Sequence, residues 1–149
     1  MDKIIIGRKD KAEFPEFEIS ELDIKIDTGA YTSSIHCHHI EEKEIDGKTL
    51  LTFCLLDPSH PEYSEKLFKF SNYKRKLVKN SFGTSENRFI LTTTIKIFGE
   101  IFPIELSLSE RENMKYPVLI GRKLLNKRFI VDSTKTNLSH KLKTKKLKD

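Results

Sequence analysis

The segment between residues 22 and 29 constrains the fold more than any other part of the chain. Aliphatic and charged residues alternate from position 22 to position 26, which is typical of a strand with one buried face. Asp27 and Thr28 follow, and Gly29 then lets the backbone turn sharply. Such a segment holds a carboxylate rigidly at the end of a strand, although ordinary turn chemistry also explains an Asp-Thr-Gly sequence without catalysis.

Most of the remaining chain also reads as short strands separated by turns. Asp46-Gly47 suits a two-residue primed turn, so the residues on either side of it are expected to pair as a hairpin. Residues 88–98 are rich in Thr, Ile and Phe, and alternate positions of residues 101–108 are apolar, so the two segments predict a second hairpin with its turn at Gly99-Glu100. Helix is predicted mainly for residues 122–127. These patterns favour an all-β barrel or sandwich of about eight to ten strands.

The net charge of +5 comes from the C-terminal end of the chain. Residues 135–149 contain six lysines and one acidic residue, whereas residues 1–134 contain 21 basic and 21 acidic residues. We therefore predict one domain over residues 1–134, followed by a solvated, lysine-rich tail over residues 135–149. Because the excess charge is confined to this tail, the sequence does not favour nucleic acid as a partner.

The sequence also predicts where the protein works. No run approaches the ~18 apolar residues of a membrane-spanning helix, so no membrane partner is expected. The first residues lack the features of a signal peptide. Two cysteines, Cys37 and Cys54, are too few for a disulfide scaffold, and a cytoplasmic location is the simplest expectation.

A second segment of the sequence supports a functional interpretation of the Asp-Thr-Gly segment. Val118-Leu119-Ile120 predicts a buried strand, and Gly121-Arg122 leads into a short helix with two leucines. Together with Asp-Thr-Gly-Ala at residues 27–30, this segment resembles the retropepsin-type aspartic peptidases. In that superfamily a strand ends in Asp-Thr-Gly-Ala, and an apolar-apolar-Gly-Arg sequence with a short helix follows downstream.

A closer resemblance runs from Ile6 to Asp132. The chain is similar to the small bacterial family labelled ATP-dependent zinc protease, which is read as retropepsin-like and is often associated with glutamate ligases that modify a ribosomal protein. The matching pieces are Ile6-Gly7-Arg8, residues 25–30 with residues 32–34, Asn80-Ser81-Phe82-Gly83 with Glu86 and Arg88, and residues 119–122.

The resemblance implies a closed acid-protease barrel with one short helix near the C-terminus. It also implies an aspartic peptidase with Asp27 as the catalytic residue. Because this chemistry needs two carboxylates that share a proton and the chain holds one Asp-Thr-Gly, the simplest assembly is a homodimer. The residues expected to support the active-site loop are Thr28, Gly29, Ala30 and Gly121. The expected substrate-binding residues are Arg122, Arg88 and Ser81, since arginine pairs well with the carboxylates of an acidic, glutamate-rich peptide.

Two features leave details of the site open. Viral retropepsins often carry, after the alanine, an aspartate that pairs with the arginine of Gly-Arg. Here that position is Tyr31, so Arg122 must find another partner or face the substrate. No glycine-rich flap tip is evident, and both the Asp46-Gly47 hairpin and residues 57–88 are candidates for the flap.

Two other functions remain open from the sequence. The same fold could serve as a non-catalytic module that binds acidic peptides, or the chain could be a zinc-dependent protease, as the family label says. Residues 36–39, His-Cys-His-His, suggest a zinc site. Adjacent residues on a strand point to opposite faces of the sheet, however, so at most two of the four side chains share a face. The sequence also lacks His-Glu-x-x-His, Cys-x-x-Cys and a phosphate-binding loop. We therefore predict neither a metal nor a cofactor.

Overall fold

The computed structural model describes residues 2–56, 60–61, 63–79, 82–110 and 115–148. In these ranges the strands are β1 (Ile4–Ile6), β2 (Lys9–Phe14), β3 (Ile19–Ile26), β4 (Ser33–Ile45), β5 (Lys48–Leu55), β6 (Phe68–Phe70), β7 (Tyr73–Lys79), β8 (Ser85–Ile97), β9 (Glu100–Ser109), β10 (Val118–Ile120) and β11 (Phe129–Val131). A 3-10 helix covers Pro15–Phe17, and the α-helices are α1 (Arg122–Leu125) and α2 (Leu138–Lys148). Among these described helices, none has the length and apolar character needed to span a membrane.

Six of the strands are hydrogen-bonded in a ring. The order is β10, β3, β2, β8, β9 and β4, and β4 pairs back to β10. The strand pairing between β2 and β8 consists of one residue pair, Glu13 with Lys96. Strands β5 and β6 continue the sheet beyond β4, and β7 pairs with β8 outside the ring. The predicted all-β fold is therefore confirmed, although the sheet is less regular than a simple closed barrel.

The core lies inside this ring of strands. Leu22, Ile24 and Ile26 of β3 are buried while the intervening charged residues are exposed, as the alternating sequence predicts. A cluster of aromatic rings fills the side of the core that faces β5 and β6, and its members are Phe14, Phe17, Phe53, Phe68 and Phe70. Full burial of one such side chain stabilises the fold by about 1.5–3 kcal/mol.

Both predicted hairpins are present. Asp46 and Gly47, at φ 52° and 77°, form the turn between β4 and β5, and two successive positive φ angles are the signature of a primed turn. Phe98 and Gly99, at φ 53° and 74°, form the same kind of turn between β8 and β9. The sequence places this second turn one residue later, at Gly99-Glu100, because phenylalanine rarely adopts a positive φ.

The lysine-rich end of the chain differs from the predicted solvated tail, because residues 138–148 form helix α2. The carboxylate of Asp10, which is only 1% exposed, accepts hydrogen bonds from the backbone amides of Ser139 (2.8 Å) and His140 (3.1 Å). The Ser139 hydroxyl in turn accepts a hydrogen bond from the Phe98 amide at 2.8 Å. These contacts cap the helix and fix its first turn to β2 and to the β8–β9 turn.

Asp10→Ala should release helix α2 from the sheet. The substitution leaves buried amides without an acceptor, so we expect the free energy of unfolding to fall by about 2–4 kcal/mol. Urea denaturation measures this loss, and amide hydrogen exchange at residues 139 and 140 should accelerate. Asp23→Ala is the matched control, because it removes only an exposed ion pair with Lys11 and should cost no more than about 0.5–1 kcal/mol. Equal losses in the two variants would contradict the role of Asp10.

Candidate active site

The position of β10 determines the loop that carries Asp27. Strand β10 pairs in parallel with β3, with Ile120 opposite Ile26, and antiparallel with β4, with Val118 opposite Ile35. The chain from β3 to β4 must therefore pass across the end of β10. Asp27 lies at the start of this connection, and its amide donates a 2.8 Å hydrogen bond to the carbonyl of Ile120.

The backbone of the loop holds the Asp27 carboxylate in place. The amide of Gly29 donates a 3.0 Å hydrogen bond to Oδ1 of Asp27, and the amide of Ala30 donates to the Asp27 carbonyl at 3.2 Å. Asp27 is partly buried, whereas Thr28 and Gly29 are exposed. The carboxylate is thus oriented by a short turn and still reaches the surface, as a group that must meet a substrate should.

Gly121 allows the loop to lie directly against β10. A Cβ atom at this position would lie 2.6 Å from the carbonyl oxygen of Tyr31 and 2.9 Å from that of Ala30, so only glycine fits without displacing the backbone. The Gly121 amide donates a 3.0 Å hydrogen bond to Oγ of Ser33, a residue that is 2% exposed. The sequence interpretation missed Ser33 as a member of the site, although it belongs to the 32–34 sequence that follows Asp-Thr-Gly-Ala.

Arg122 binds the outside of the same loop. Its amide donates to the carbonyl of Ala30 at 2.8 Å, and its Nη1 donates to the carbonyl of Thr28 at 2.9 Å. The guanidinium carbon also lies 5.8 Å from the centre of the Tyr31 ring, within the range of a cation–π contact. A backbone carbonyl and an aromatic ring therefore contact Arg122 where viral enzymes use an aspartate. Its contribution to substrate binding stays a prediction.

The other predicted substrate-binding residues lie elsewhere. Arg88 is on β8, and its Nε and Nη2 donate to Oε1 of Glu86 at 3.0 and 2.9 Å. Among the described residues, Arg88 makes no hydrogen bond or ion pair with the Asp27 loop. Ser81 lies outside the described residues. The β7–β8 hairpin that carries Arg88 exposes 67% of Leu77 and 89% of Phe82, and it falls in the 57–88 region that is one of the two predicted flap candidates.

Cationic residues flank the Asp27 loop. The carbonyl of Arg8 accepts a 2.9 Å hydrogen bond from the amide of Ile26, which places Arg8 beside the end of β3. Lys25 is one residue further back on β3, and the Lys123 amide donates to the carbonyl of Tyr31 at 2.9 Å. The Arg8 side chain is exposed and donates to the Ser133 carbonyl over a long 3.4 Å. The sequence interpretation did not assign Arg8 to the site.

A carboxylate ties α1, next to this loop, to strands β7 and β9. Glu105 on β9 pairs with Lys123 of α1 and, at 2.8 Å, with Lys74 of β7. The hydrogen bonds from Lys123 and Lys74 lower the pKa of the Glu105 carboxyl below its ordinary value of 4.5, since they favour the charged form. The helix that begins at Arg122 is therefore fixed on both of its sides.

The His-Cys-His-His sequence lies within β4. Cys37 is fully buried, and this burial raises the pKa of its thiol well above the ordinary value of 9.0, so a nucleophilic thiolate at neutral pH is disfavoured. The rings of His36 and His38 lie 5.1 Å apart. In the part of the chain that the structure describes, no three His, Cys, Asp or Glu side chains come together in a group that could hold a metal ion.

Comparisons with known proteins identify the family of this chain. A family model described as the retropepsin-like aspartic endopeptidase RimB matches residues 5–142. The chain belongs to this RimB-like family. The predicted resemblance to retropepsins is confirmed.

Several curated relatives of this RimB-like chain carry the name of another activity. A probable α-L-glutamate ligase of Desulfotalea psychrophila is 34% identical over 134 residues, which are 87% of this chain and 28% of the relative. One of Shewanella pealeana is 31% identical over 139 residues, 91% of this chain and 30% of the relative. The chain thus spans less than a third of the length of these relatives.

A solved structure shows the same fold. The crystal structure of a Legionella pneumophila protein of unknown function, from the DUF785 group, superposes with a TM-score of 0.66 and 24% sequence identity. The match covers 93% of this chain and 99% of the other. The RimB-like fold is therefore shared at low sequence identity.

Gly121→Ala should disrupt the site by displacing the Asp27 loop. The new methyl group would meet two backbone carbonyls, so we expect a loss of about 1–3 kcal/mol in the free energy of unfolding. Urea denaturation measures this change, and amide exchange at Ala30 and Arg122 locates it. Asn126→Ala, at the exposed end of α1, is the control and should stay within about 0.5 kcal/mol of the wild type. A fully stable Gly121→Ala protein with an unchanged loop would contradict this account.

Glu105→Gln should make stability less dependent on acid pH. Because the folded-state pKa of Glu105 is lowered, its ionisation stabilises the fold above pH 4.5, and this contribution is lost as the pH falls through the folded-state value. The difference in free energy of unfolding between wild type and Glu105→Gln should therefore be largest at neutral pH and vanish in acid. Urea titrations at several pH values test this. Glu100→Gln is the control for loss of one surface charge, because Glu100 is exposed at the start of β9.

Proposed function

We propose that the protein is a homodimeric aspartic peptidase that hydrolyses glutamate-rich peptides in the cytoplasm. The observation that supports this most directly is the geometry of Asp27. A backbone amide orients one oxygen of a surface carboxylate, in a chain of an aspartic endopeptidase family. Both cysteines are free and buried, in keeping with a reducing compartment.

The chemistry requires a second carboxylate. Two aspartates that share one proton divide the work, because like charges at short range do not both ionise. The ionised carboxylate removes a proton from water, the water oxygen attacks the peptide carbonyl carbon, and the protonated carboxyl gives its proton to the carbonyl oxygen. In the second step the carboxyl that took the proton from water gives it to the amide nitrogen, and the C–N bond breaks. The other carboxylate takes a hydroxyl proton as the new carboxyl group forms, which restores the pair with one shared proton. Because the chain carries one Asp-Thr-Gly, a two-fold axis beside Asp27 is the simplest source of the second group. In this arrangement Thr28, Gly29, Ala30 and Gly121 support the loop.

The charge around the loop favours an acidic substrate. Arg8 and Lys25 flank residues 27–31, and Arg122 lies against the loop. The relatives named as probable α-L-glutamate ligases contain a region similar to this chain, and that region makes up less than a third of their length. The name of these relatives describes a ligase that acts on L-glutamate, so we propose that this chain cleaves glutamate-rich peptides formed by such a ligase. Arg122, Arg88 and Ser81 remain the proposed substrate-binding residues.

Asp27→Asn should abolish hydrolysis of synthetic oligo-α-L-glutamate while leaving the fold intact. Loss of a group that carries the proton should lower the rate by about 10²–10⁴-fold or more. Mass spectrometry of the products measures the rate. Glu100→Gln, at the exposed start of β9, loses the same charge outside the proposed site and is the control that should retain activity. The specific activity of the wild type should also rise with protein concentration until the dimer is fully formed.

Each alternative function gives a different result in these assays. Binding of oligoglutamate by the wild type without any cleavage would replace the peptidase with a peptide-binding module. Inactivation by a metal chelator, together with bound metal in the purified protein, would favour a zinc-dependent protease. Full activity of Asp27→Asn would overturn the proposal itself.

A further inference from the structure

Helix α2 encloses a cavity against the sheet at a distance from the Asp27 loop. The cavity has a volume of about 250 Å³ and lies between α2, strand β2 and the β8–β9 turn. Its apolar surface comes from Ala12, Ile97 and Phe98, together with Leu142, which is 41% exposed. Its cationic rim comes from both sides, and the four lysines that line it are Lys11, Lys96, Lys143 and Lys146.

A second cavity continues this rim towards the active-site loop. It also measures about 250 Å³, and it is lined by Lys9, Lys11 and Lys115. Lys11 borders both cavities. Lys9 directly follows Arg8, the residue whose carbonyl is hydrogen-bonded to the end of β3. A row of lysines therefore runs along β2 from the neighbourhood of Asp27 to helix α2.

The acidic residues near this row are mostly engaged. Asp23 pairs with Lys11 at 2.9 Å, and Glu21 pairs with Nδ1 of His140 at 2.8 Å. The Asp10 carboxylate is buried in the cap of α2. Glu13 remains on the rim. Within the described parts of the chain, Lys96, Lys143 and Lys146 make no ion pair, so the cavity beside α2 presents an excess of positive charge.

We propose that these lysines form a binding site for the distal part of a glutamate-rich chain whose scissile bond lies at Asp27. We call this surface the lysine track and define it as Lys9, Lys11, Lys96, Lys115, Lys143 and Lys146. The identity of the ligand rests on the proposed function, whereas the site itself rests on the two cavities. Carboxylates of the peptide pair with the lysines, and the methylene groups of its side chains cover the apolar floor.

The length of β2 determines which peptides reach both sites. Lys9 and Glu13 are four residues apart on β2, which corresponds to about 13 Å at the rise of a β-strand. An extended peptide therefore needs roughly four residues to run from Lys9 to Glu13, which lines the cavity beside α2, in addition to the residues bound at Asp27. The lysine track should consequently favour long oligoglutamates over short ones.

A peptide fits this surface better than a nucleic acid does. Single-stranded nucleic acids bind largely by stacking bases on open aromatic rings. The aromatic rings along the track are engaged, since Phe98 packs against Phe129 with 6.2 Å between ring centres. The Tyr116 ring lies near two lysine ammonium groups, 6.0 Å from that of Lys25 and 5.8 Å from that of Lys115.

Charge reversal on one side of α2 tests this inference independently of catalysis. The full chain carrying Asp27→Asn is titrated at physiological salt with fluorescent oligo-α-L-glutamates of about four and about sixteen residues. Lys143→Glu combined with Lys146→Glu should weaken the long peptide about ten-fold and leave the short one unchanged. The matched control is Lys141→Glu combined with Lys145→Glu, which changes the same charge on the same helix outside the cavity and should alter affinity less than about two-fold.

The outcomes separate this inference from the proposed function. Equal losses in the two double variants, equal binding of short and long peptides, or equally tight binding of an RNA oligonucleotide of matched charge would each overturn the lysine track. In an otherwise wild-type chain, the Lys143→Glu and Lys146→Glu pair should raise KM for the long substrate and leave kcat unchanged. If no peptide is cleaved but the binding pattern holds, the peptidase proposal fails and the track stands.

Discussion

The insertion of β10 between β3 and β4 is the constraint on which the rest of the structure depends. A strand that pairs with both neighbours forces the 27–32 connection across its own end, where the Asp27 amide meets the Ile120 carbonyl. Gly121 is the next residue after Ile120, and because it has no side chain the connection can pack directly against it. One short strand therefore joins the sheet, orients the carboxylate and starts helix α1.

Helix α1 and helix α2 are attached by different means. The Arg122 and Lys123 amides bond to the loop carbonyls of Ala30 and Tyr31, and Glu105 holds α1 to the sheet. The first turn of helix α2 is attached through the buried carboxylate of Asp10 and through the Ser139 hydroxyl, which accepts a hydrogen bond from the Phe98 amide. A charge this deep costs solvation, which its hydrogen bonds from backbone amides offset. The lysine-rich segment is thus positioned by partners that lie far from it in the sequence.

Local patterns account for much of what the sequence predicted correctly. Alternation identified β3, Asp46-Gly47 identified a primed turn, and the 118–125 segment identified a strand followed by a glycine and a helix. Each of these depends on residues within a few positions of one another. The features that were missed depend on distant partners. Phe98 adopts a positive φ in a turn, and its amide donates a hydrogen bond to the Ser139 hydroxyl. Residues 138–148 form a helix that is capped by the carboxylate of Asp10.

The charge distribution shows why composition alone misled the interpretation of the tail. Residues 1–134 carry no net charge, and the excess positive charge lies in residues 135–149, which the sequence predicts to be a solvated tail. Folding returns that segment to β2, so that Lys143 and Lys146 face Lys11 and Lys96 across one cavity. Like charges held this close repel each other, and an anionic ligand removes that cost. A carboxylate-rich chain that extends from α2 to Asp27 would reduce this repulsion along the whole lysine track. The position of α2 is therefore linked to the chemistry proposed for the Asp27 loop.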